Sequence, residues 1–200
     1  MAQQLNVGIL LFNEVEVLDF AGPFEVFSIT TSLSKLDRPF AVHIISQTGE
    51  MVSARNGLMV KPSYSIADAP ALDILIIPGG YGAEEIEIHN EIIIDWIRKQ
   101  STKVKLLASV CTGAFLLAKA GLLDGKKATT HWMDIERLAR EYPQIDIQQG
   151  QKYVDEGSII TAAGISAGLD MSFHIIKKLL GPEIARATAK RMEYDIVIAE

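Results

Sequence analysis

The stretch that most constrains the fold of this chain covers residues 103–118, with the sequence KVKLLASVCTGAFLLA. Its first half is an apolar run rich in valine and leucine, which is typical of a strand buried on both faces. Its second half is rich in alanine and leucine and predicts a helix. Cys111 stands where the strand becomes the helix, followed by Thr112–Gly113. The pattern predicts a nucleophile elbow in which sulfur replaces the usual serine hydroxyl.

Cys111 at such a turn has two interpretations. The first backbone N–H groups of a helix and the positive end of its dipole favour a thiolate, so we expect the helix start to lower the pKa of this thiol. Gly113 lets the backbone bend without a side chain in the way. The alternative is that the only cysteine of a reduced chain is a small, buried hydrophobic residue. The strand–Cys–Thr–Gly–helix setting favours the nucleophile.

The composition narrows the class of protein. The 200 residues are 48% hydrophobic and 22% charged, which is typical of one folded domain over residues 1–200. A net charge of −6 argues against a nucleic-acid partner, which would need a basic surface. A single cysteine excludes a disulfide framework and a thiolate-rich metal site. The apolar stretch near the N-terminus lacks a preceding basic region and is too short for a signal peptide or a membrane span, so we expect a cytoplasmic protein without a membrane partner.

Strand-like and helix-like segments alternate along the chain with short connections. Besides the run before Cys111, three apolar runs predict strands, at residues 5–12, 41–46 and 72–77. Helical patterns are found from Gly22–Pro23 onward and over residues 84–100, 131–141 and 164–180, with Ile165 on the apolar face of the last. An Asn–Gly turn within residues 50–61 predicts a β-hairpin. The alternation predicts an α/β fold, a doubly wound and mostly parallel sheet with helices on both faces.

Ligand sites in such sheets lie at the carboxyl ends of the strands. This rule collects candidate residues at one edge of the sheet, namely Glu16, Asp19, Gly79, Gly80 and Cys111. Asp19 either caps the helix that follows it or supplies a carboxyl group that exchanges a proton with the sulfur. Glu14 and Glu16 compete for that second role or belong to a solvated surface.

The loop Pro78–Gly82 follows the third predicted strand with the sequence PGGYG. It lacks the Lys-Ser/Thr ending of a phosphate-binding P-loop and the spacing of a dinucleotide-binding loop. We therefore interpret it as a source of backbone N–H groups that stabilise an anion near the sulfur, with Tyr81 lining the pocket. The alternative is a turn that only ends the strand.

His131 is the histidine that competes for a chemical role, because a Cys–His pair would make a hydrolase or an amidotransferase. The remaining histidines, which are His43, His89 and His174, have no metal-ligand spacing and are interpreted as structural. The sequence predicts no metal site.

Five motifs occur in one order along the chain: DFAGP at 19–23, IPGG at 77–80, SVCTG at 109–113, ATTHW at 128–132 and GISAGLD at 164–170. The ordered set resembles the ThiJ/PfpI superfamily over essentially the whole chain. This resemblance implies a flavodoxin-like, class I glutamine-amidotransferase-like fold. Within the superfamily, the Cys–Thr–Gly elbow and the LLDGKKATTHW segment at 122–132 are most similar to isonitrile hydratases, and they also resemble the amidase-like domain of AraC-type regulators.

The resemblance assigns roles to several residues. It implies Cys111 as the nucleophile and Asp19 as its acidic partner. It also matches Thr112 to the residue after the nucleophile and Gly80 to a backbone donor near it. To these we add predicted oxyanion- or substrate-binding positions at Gly79, Tyr81 and Ile165, with supporting roles for Glu16 and His131. Thr112 stands where PfpI-type proteases have a histidine, which argues against peptidase activity. The resemblance further implies a homodimer that acts on a small molecule without a metal or an organic cofactor.

The leading functional hypothesis is hydration of an isonitrile to an N-substituted formamide through a thioimidate on Cys111. A second hypothesis is a module without catalytic activity that binds a small molecule or senses oxidants through the same cysteine. A third is an amidase- or protease-like hydrolase with His131 as the base.

Overall fold

The computed structural model describes residues 4–32 and 38–198. Residues 1–3, 33–37 and 199–200 of the predicted single domain lie outside the described part of the chain, and the domain count stays a prediction. The strands are β1 (Leu5–Leu11), β2 (Phe40–Ser46), β3 (Val52–Ser53), β4 (Met59–Val60), β5 (Tyr64–Ser65), β6 (Ile74–Ile77), β7 (Leu106–Val110), β8 (Lys127–Ala128), β9 (Asp146–Ile147), β10 (Tyr153–Asp155) and β11 (Ile159–Ala162). The α-helices are α1 (Val17–Ile29), α2 (Glu91–Ser101), α3 (Gly113–Lys119), α4 (Ile135–Glu141), α5 (Ala167–Leu180) and α6 (Pro182–Arg191).

In the described residues, seven strands form the main sheet in the order β10–β11–β7–β6–β1–β2–β5. All neighbours are parallel except β10 and β11, which form an antiparallel pair at one edge. Strands β6 and β7 are central, and every residue in them is buried. Their continuous apolar sequences follow from this double coverage, because a parallel strand with helices on both faces has no solvent-facing side.

Helices form two packed groups around the sheet. Helices α1, α5 and α6 contact one another, while α2 and α3 contact each other. Both α1 and α3 also contact β6, so the central strands are covered from both groups. The prediction of an α/β, mostly parallel, flavodoxin-like sheet with helices is confirmed.

The first helix begins earlier than the sequence predicts. Helix α1 starts at Val17, whereas the Gly22–Pro23 pair indicated a start about one turn later. Pro23 lies inside the helix, where it lacks the N–H that would donate to a carbonyl one turn back. Packing of α1 against α5 makes the longer helix possible. The predicted role of Asp19 as a cap is wrong, because Asp19 lies in the first turn and its side chain makes no cap hydrogen bond.

Two other predicted helices are shorter in the structure. The segment predicted at 84–100 contains a π-helical turn (Gly82–Ile86), a 3₁₀ turn (Glu87–His89) and then α2. The segment predicted at 131–141 contains a 3₁₀ turn (Trp132–Asp134) before α4. Both departures bring a residue, Glu84 in the first and Asp134 in the second, to the cavity over Cys111.

The predicted hairpin is present as the antiparallel pair β3–β4. Its connection is longer than a two-residue turn, with Asn56 and Gly57 both in the left-handed region at φ 58° and 81°. The backbone N–H of Arg55 donates to the Val15 carbonyl at 3.0 Å. This hydrogen bond fixes the hairpin beside the segment that leads from β1 to α1.

No helix in the described ranges is both long and apolar enough to cross a membrane.

Candidate active site

Cys111 lies at the predicted elbow, one residue after β7 and two before α3. Its φ is 57°, in the left-handed region that costs a non-glycine residue about 1–2 kcal/mol. Hydrogen bonds hold both of its backbone groups: its N–H donates to the Ala163 carbonyl at 3.1 Å, and its carbonyl accepts from Thr130 Oγ1 at 2.8 Å. The surrounding structure therefore imposes the strained conformation that orients the sulfur.

Close packing around the elbow explains two of its glycines. A Cβ on Gly113 would lie 2.2 Å from the Ile77 carbonyl oxygen, and a Cβ on Gly79 would lie 2.5 Å from the Thr112 nitrogen. Backbone atoms cannot move aside as a flexible side chain can. The loop after β6 and the elbow after β7 thus touch through their backbones, which fixes the position of both relative to the sulfur.

The N–H groups of the glycine loop do not serve the role that the sequence predicts. The Gly79 N–H donates to Asp19 Oδ2 at 2.9 Å, and the Gly80 N–H donates to Thr112 Oγ1 at 2.9 Å. Both donors are therefore already engaged inside the protein. The prediction that they stabilise an anion near the sulfur is corrected: Gly79 orients Asp19, and Gly80 orients Thr112.

The donors that reach the sulfur come from other positions. The backbone N–H groups of Thr112 and Ile165 hydrogen-bond Cys111 and lower its pKa. Ile165 precedes α5 and has φ 51°, so the predicted helix over 164–180 begins only at Ala167. Placing Ile165 on an apolar helix face was wrong. Its left-handed backbone contributes a donor to the site instead.

Asp19 lies beneath the elbow with a fully buried side chain. Burial raises its pKa to about 7, and the negative charge of Glu16 adds to the rise. The Gly79 N–H, the Cys111 thiol and the Ile165 N–H act in the opposite direction. Among the described residues, Asp19 Oδ1 has no partner with good hydrogen-bond geometry. The Asp19 carboxyl group therefore keeps an acceptor oxygen that the rest of the protein does not fully satisfy.

Cys111 is 6% exposed, and the pKa of its thiol is raised rather than lowered. Burial is the main cause, and the negative charge of Asp19 is the next. The expectation that the helix start lowers this pKa is therefore wrong. The two groups are coupled, because a proton on Asp19 removes the negative charge that opposes ionisation of the thiol. Near neutral pH, the carboxyl group of Asp19 therefore exchanges its proton with solvent, while the thiol of Cys111 keeps its own.

A cavity of about 540 Å³ opens over Cys111. Seven other candidate residues from the sequence line it, namely Glu14, Glu16, Gly80, Tyr81, Thr112, His131 and Ile165. Asp19 and Gly79 do not line the cavity but lie behind the elbow, where they hydrogen-bond each other. Most of the predicted set is thus brought together, with the carboxyl group of Asp19 buried behind the elbow and the open space in front of Cys111.

His131 is placed in the cavity wall, but not as a base for the sulfur. Its Nδ1 lies 3.5 Å from Asp134 Oδ2, and its ring packs so closely on Gly164 that a Cβ there would lie 2.1 Å from Cδ2. No hydrogen bond joins His131 to Cys111 in residues 4–32 and 38–198. The arrangement supports a positioning role for His131 and not a Cys–His pair.

Charged residues that sequence reasoning left out also line the cavity. Arg55 Nη1 is 2.6 Å from Glu16 Oε2, and Asp134 and Glu84 add two carboxylates to the wall. The Asn–Gly pattern predicted the hairpin that carries Arg55, but no local pattern shows that this hairpin folds over the elbow. Within the described ranges, no group of three or more histidine, cysteine or acidic residues could hold a metal ion.

The raised pKa of Asp19 predicts a pH-dependent stability. Between 3.8 and about 7, the folded state keeps a proton that the unfolded chain has released. The stability that Asp19 contributes is therefore complete below pH 3.8 and is lost as the pH rises through 7. Asp19→Asn stays neutral throughout, so its free energy of unfolding relative to the wild type should rise by about 2–3 kcal/mol from pH 5 to pH 8.

Urea unfolding of both proteins at each pH measures this difference, in which the contributions of all other carboxylates cancel. If the difference in free energy of unfolding between Asp19→Asn and the wild type stays constant from pH 5 to pH 8, the carboxyl group is not held protonated by burial.

The DJ-1/PfpI family model matches residues 6–178 of the chain. The isonitrile hydratase of Pseudomonas putida is 34% identical over 95% of this chain and 78% of that protein. The HTH-type transcriptional regulator GbdR of Pseudomonas aeruginosa is 27% identical over 95% of this chain but only 51% of the regulator. A crystal structure of a ThiJ/PfpI family protein from Pseudomonas syringae has a TM-score of 0.82 and 26% identity, covering 98% of this chain and 77% of that one.

Proposed function

Because the chain belongs to the DJ-1/PfpI family, we propose that its cavity is the active site of a cysteine-dependent isonitrile hydratase. This enzyme, a hydro-lyase, adds water to an isonitrile and releases an N-substituted formamide. The observation that carries the proposal is the contact between the buried carboxyl group of Asp19, with its raised pKa, and the Cys111 thiol, which lines an open cavity. The identity to the Pseudomonas putida isonitrile hydratase, spread over nearly the whole chain, supports it.

The first half of the reaction adds the S–H of Cys111 across the isonitrile carbon. Asp19 accepts the thiol proton while the sulfur forms a bond to that carbon, and the same carboxyl group then protonates the carbon. The product is a thioimidate, R–N=CH–S–Cys111. No atom is lost, and Asp19 returns to its carboxylate form.

The second half hydrolyses the thioimidate. Asp19 takes a proton from water as the hydroxide adds to the carbon, and it delivers that proton to the nitrogen. The C–S bond then breaks, the formamide R–NH–CHO leaves, and the hydroxyl proton returns through Asp19 to the sulfur. The N–H groups of Thr112 and Ile165 stabilise the departing thiolate.

A pKa near 7 suits Asp19 to both halves, because a group that must accept and donate in turn works best when neither form is strongly favoured at the operating pH. One carboxyl group therefore serves each proton transfer. A separate histidine base is not required, which agrees with the contact of His131 to Asp134.

A small-molecule substrate, a homodimer, a cytoplasmic location and the absence of a cofactor remain part of this proposal. The size of the cavity suits a small molecule, since ligand pockets commonly enclose about 300–1,000 Å³.

A second candidate is a small-molecule-binding or oxidant-sensing module. The similarity to GbdR favours it, because the aligned region covers about half of that regulator. Such a module would bind its ligand over Cys111 without turnover, or would be oxidised there stoichiometrically.

Incubation of the protein with methyl or cyclohexyl isonitrile tests the proposal. We expect formation of the corresponding formamide over many turnovers, followed by proton NMR of the formyl hydrogen. Stoichiometric binding or oxidation without formamide would overturn the hydratase and favour the binding or sensing module. Release of a carboxylic acid from amides or esters would instead favour a hydrolase.

A further inference from the structure

The wall of the cavity over Cys111 is rich in negative charge. Four carboxylates line it, from Glu14, Glu16, Glu84 and Asp134. Arg55 supplies the one guanidinium among the described lining residues, and no lysine is among them. The lining therefore carries an excess of acidic groups immediately beside the candidate nucleophile.

Ion pairs neutralise only part of this excess. Glu16 pairs with Arg55 at 2.6 Å, and Glu84 pairs with Arg137 at 3.0 Å. In the described part of the chain, neither Glu14 nor Asp134 is within ion-pair distance of a lysine or an arginine. The charged contact of Asp134 is His131 Nδ1 at 3.5 Å. Two carboxylates in the wall are thus left without a full cationic partner.

The negative field extends across the cavity to the sulfur. Besides burial, the charge of Asp134 raises the pKa of Cys111 and the pKa of Glu84, which both line the cavity. These shifts agree with the geometry, because Asp134, Glu84 and Cys111 line one cavity. A charged ligand that enters this space will experience the same field.

An aromatic ring adds a second feature that suits a cation. The side chain of Tyr81 lines the cavity and is 59% exposed, so the ring is accessible to a ligand. The face of a tyrosine ring attracts ammonium and quaternary ammonium groups. Carboxylates and an open aromatic ring on one cavity are a combination that recognises organic cations.

We propose that the substrate of this cavity carries a positive charge, as an ammonium or quaternary ammonium group that lies beside Glu14 and Asp134 while the reactive carbon meets Cys111. Neutral substrates are accepted less well, and anionic ones are excluded. That the electrophile is an isonitrile rests on the proposed function. The preference for a cation near Cys111 is independent of that function.

Charged thiol reagents test the preference without any turnover. The thiolate of Cys111 attacks a methanethiosulfonate, the S–S bond of the reagent breaks, a mixed disulfide forms, and methanesulfinate leaves. Because Cys111 is the only cysteine, mass spectrometry of the intact protein reports its modification alone. The probes are the trimethylammonioethyl and sulfonatoethyl reagents, with 2-mercaptoethanol as the reference thiol.

We expect the cationic reagent to be favoured over the anionic one at least about tenfold more strongly with the protein than with the reference thiol. The preference should shrink in 0.5 M NaCl. Glu14→Gln and Asp134→Asn should each reduce it severalfold. Glu156→Gln removes the same charge from an exposed turn outside the cavity wall and is the matched control, which should leave the preference unchanged.

Equal selectivity of the protein and the reference thiol would overturn the inference. An equal loss of the cation preference in Glu14→Gln, Asp134→Asn and the control Glu156→Gln would overturn it too. The outcome for the proposed function is separate. A strong cation preference in a protein that hydrates no isonitrile would support the inference and overturn the hydratase, whereas hydration of methyl isonitrile without a cation preference would do the reverse.

Discussion

Cys111→Ser is expected to abolish isonitrile hydration, with a loss of at least about a thousandfold in kcat/KM. A serine hydroxyl is a far weaker acid than a thiol, and the buried Asp19 carboxylate is too weak a base to ionise it. The two side chains are close in size, and the hydrogen bonds that hold residue 111 in its left-handed conformation come from its backbone. The variant should therefore fold normally. Formamide production with an alkyl isonitrile measures the loss.

Urea unfolding is the control for Cys111→Ser, and a midpoint close to that of the wild type is expected. Retention of a tenth or more of the activity in the folded variant would exclude Cys111 as the nucleophile. The cavity would then need another explanation for its hydratase activity.

Asp19→Asn is expected to lower isonitrile hydration by about a hundred- to ten-thousandfold. Asparagine keeps the size of the side chain and still accepts the Gly79 N–H, but it cannot carry a proton between the sulfur and the substrate carbon. Loss of the negative charge also removes one cause of the raised pKa of Cys111. Alkylation of Cys111 by iodoacetamide should therefore be at least as fast as in the wild type, while turnover falls.

His131→Gln is the comparison for Asp19→Asn and should cost less than about fivefold in rate, because His131 contacts Asp134 and Gly164 rather than the sulfur. The opposite order, with His131→Gln inactive and Asp19→Asn nearly normal, would contradict the mechanism. It would restore the hydrolase hypothesis.

Much of the fold was predictable because buried parallel strands and an Ala/Leu-rich helix leave clear patterns. The runs before Pro78 and before Cys111 are such strands, and both form where the sequence predicts. The errors lie where long-range packing outweighs local preference. A proline usually lies in the first turn of a helix. Pro23 instead lies within α1, where its ring is near the Gly168 position of α5.

The sequence by itself determined the position of the elbow and of its cysteine. The change from a strand pattern to a helix pattern at Cys111 is local, and Gly113 is the residue that a backbone approach of this kind requires. Such features depend on neighbours along the chain. They can be interpreted without knowing which other segments fold nearby.

Only the tertiary structure decided the chemistry of that cysteine. Burial under the cavity and the charge of Asp19 raise its pKa, although the helix start alone predicted the opposite. Ile165 supplies an N–H to the sulfur, and Asp134 adds to the negative field, from positions more than 20 residues further along the chain. Solvation and Coulomb interactions depend on distance through space, and that distance is set when separate segments pack together.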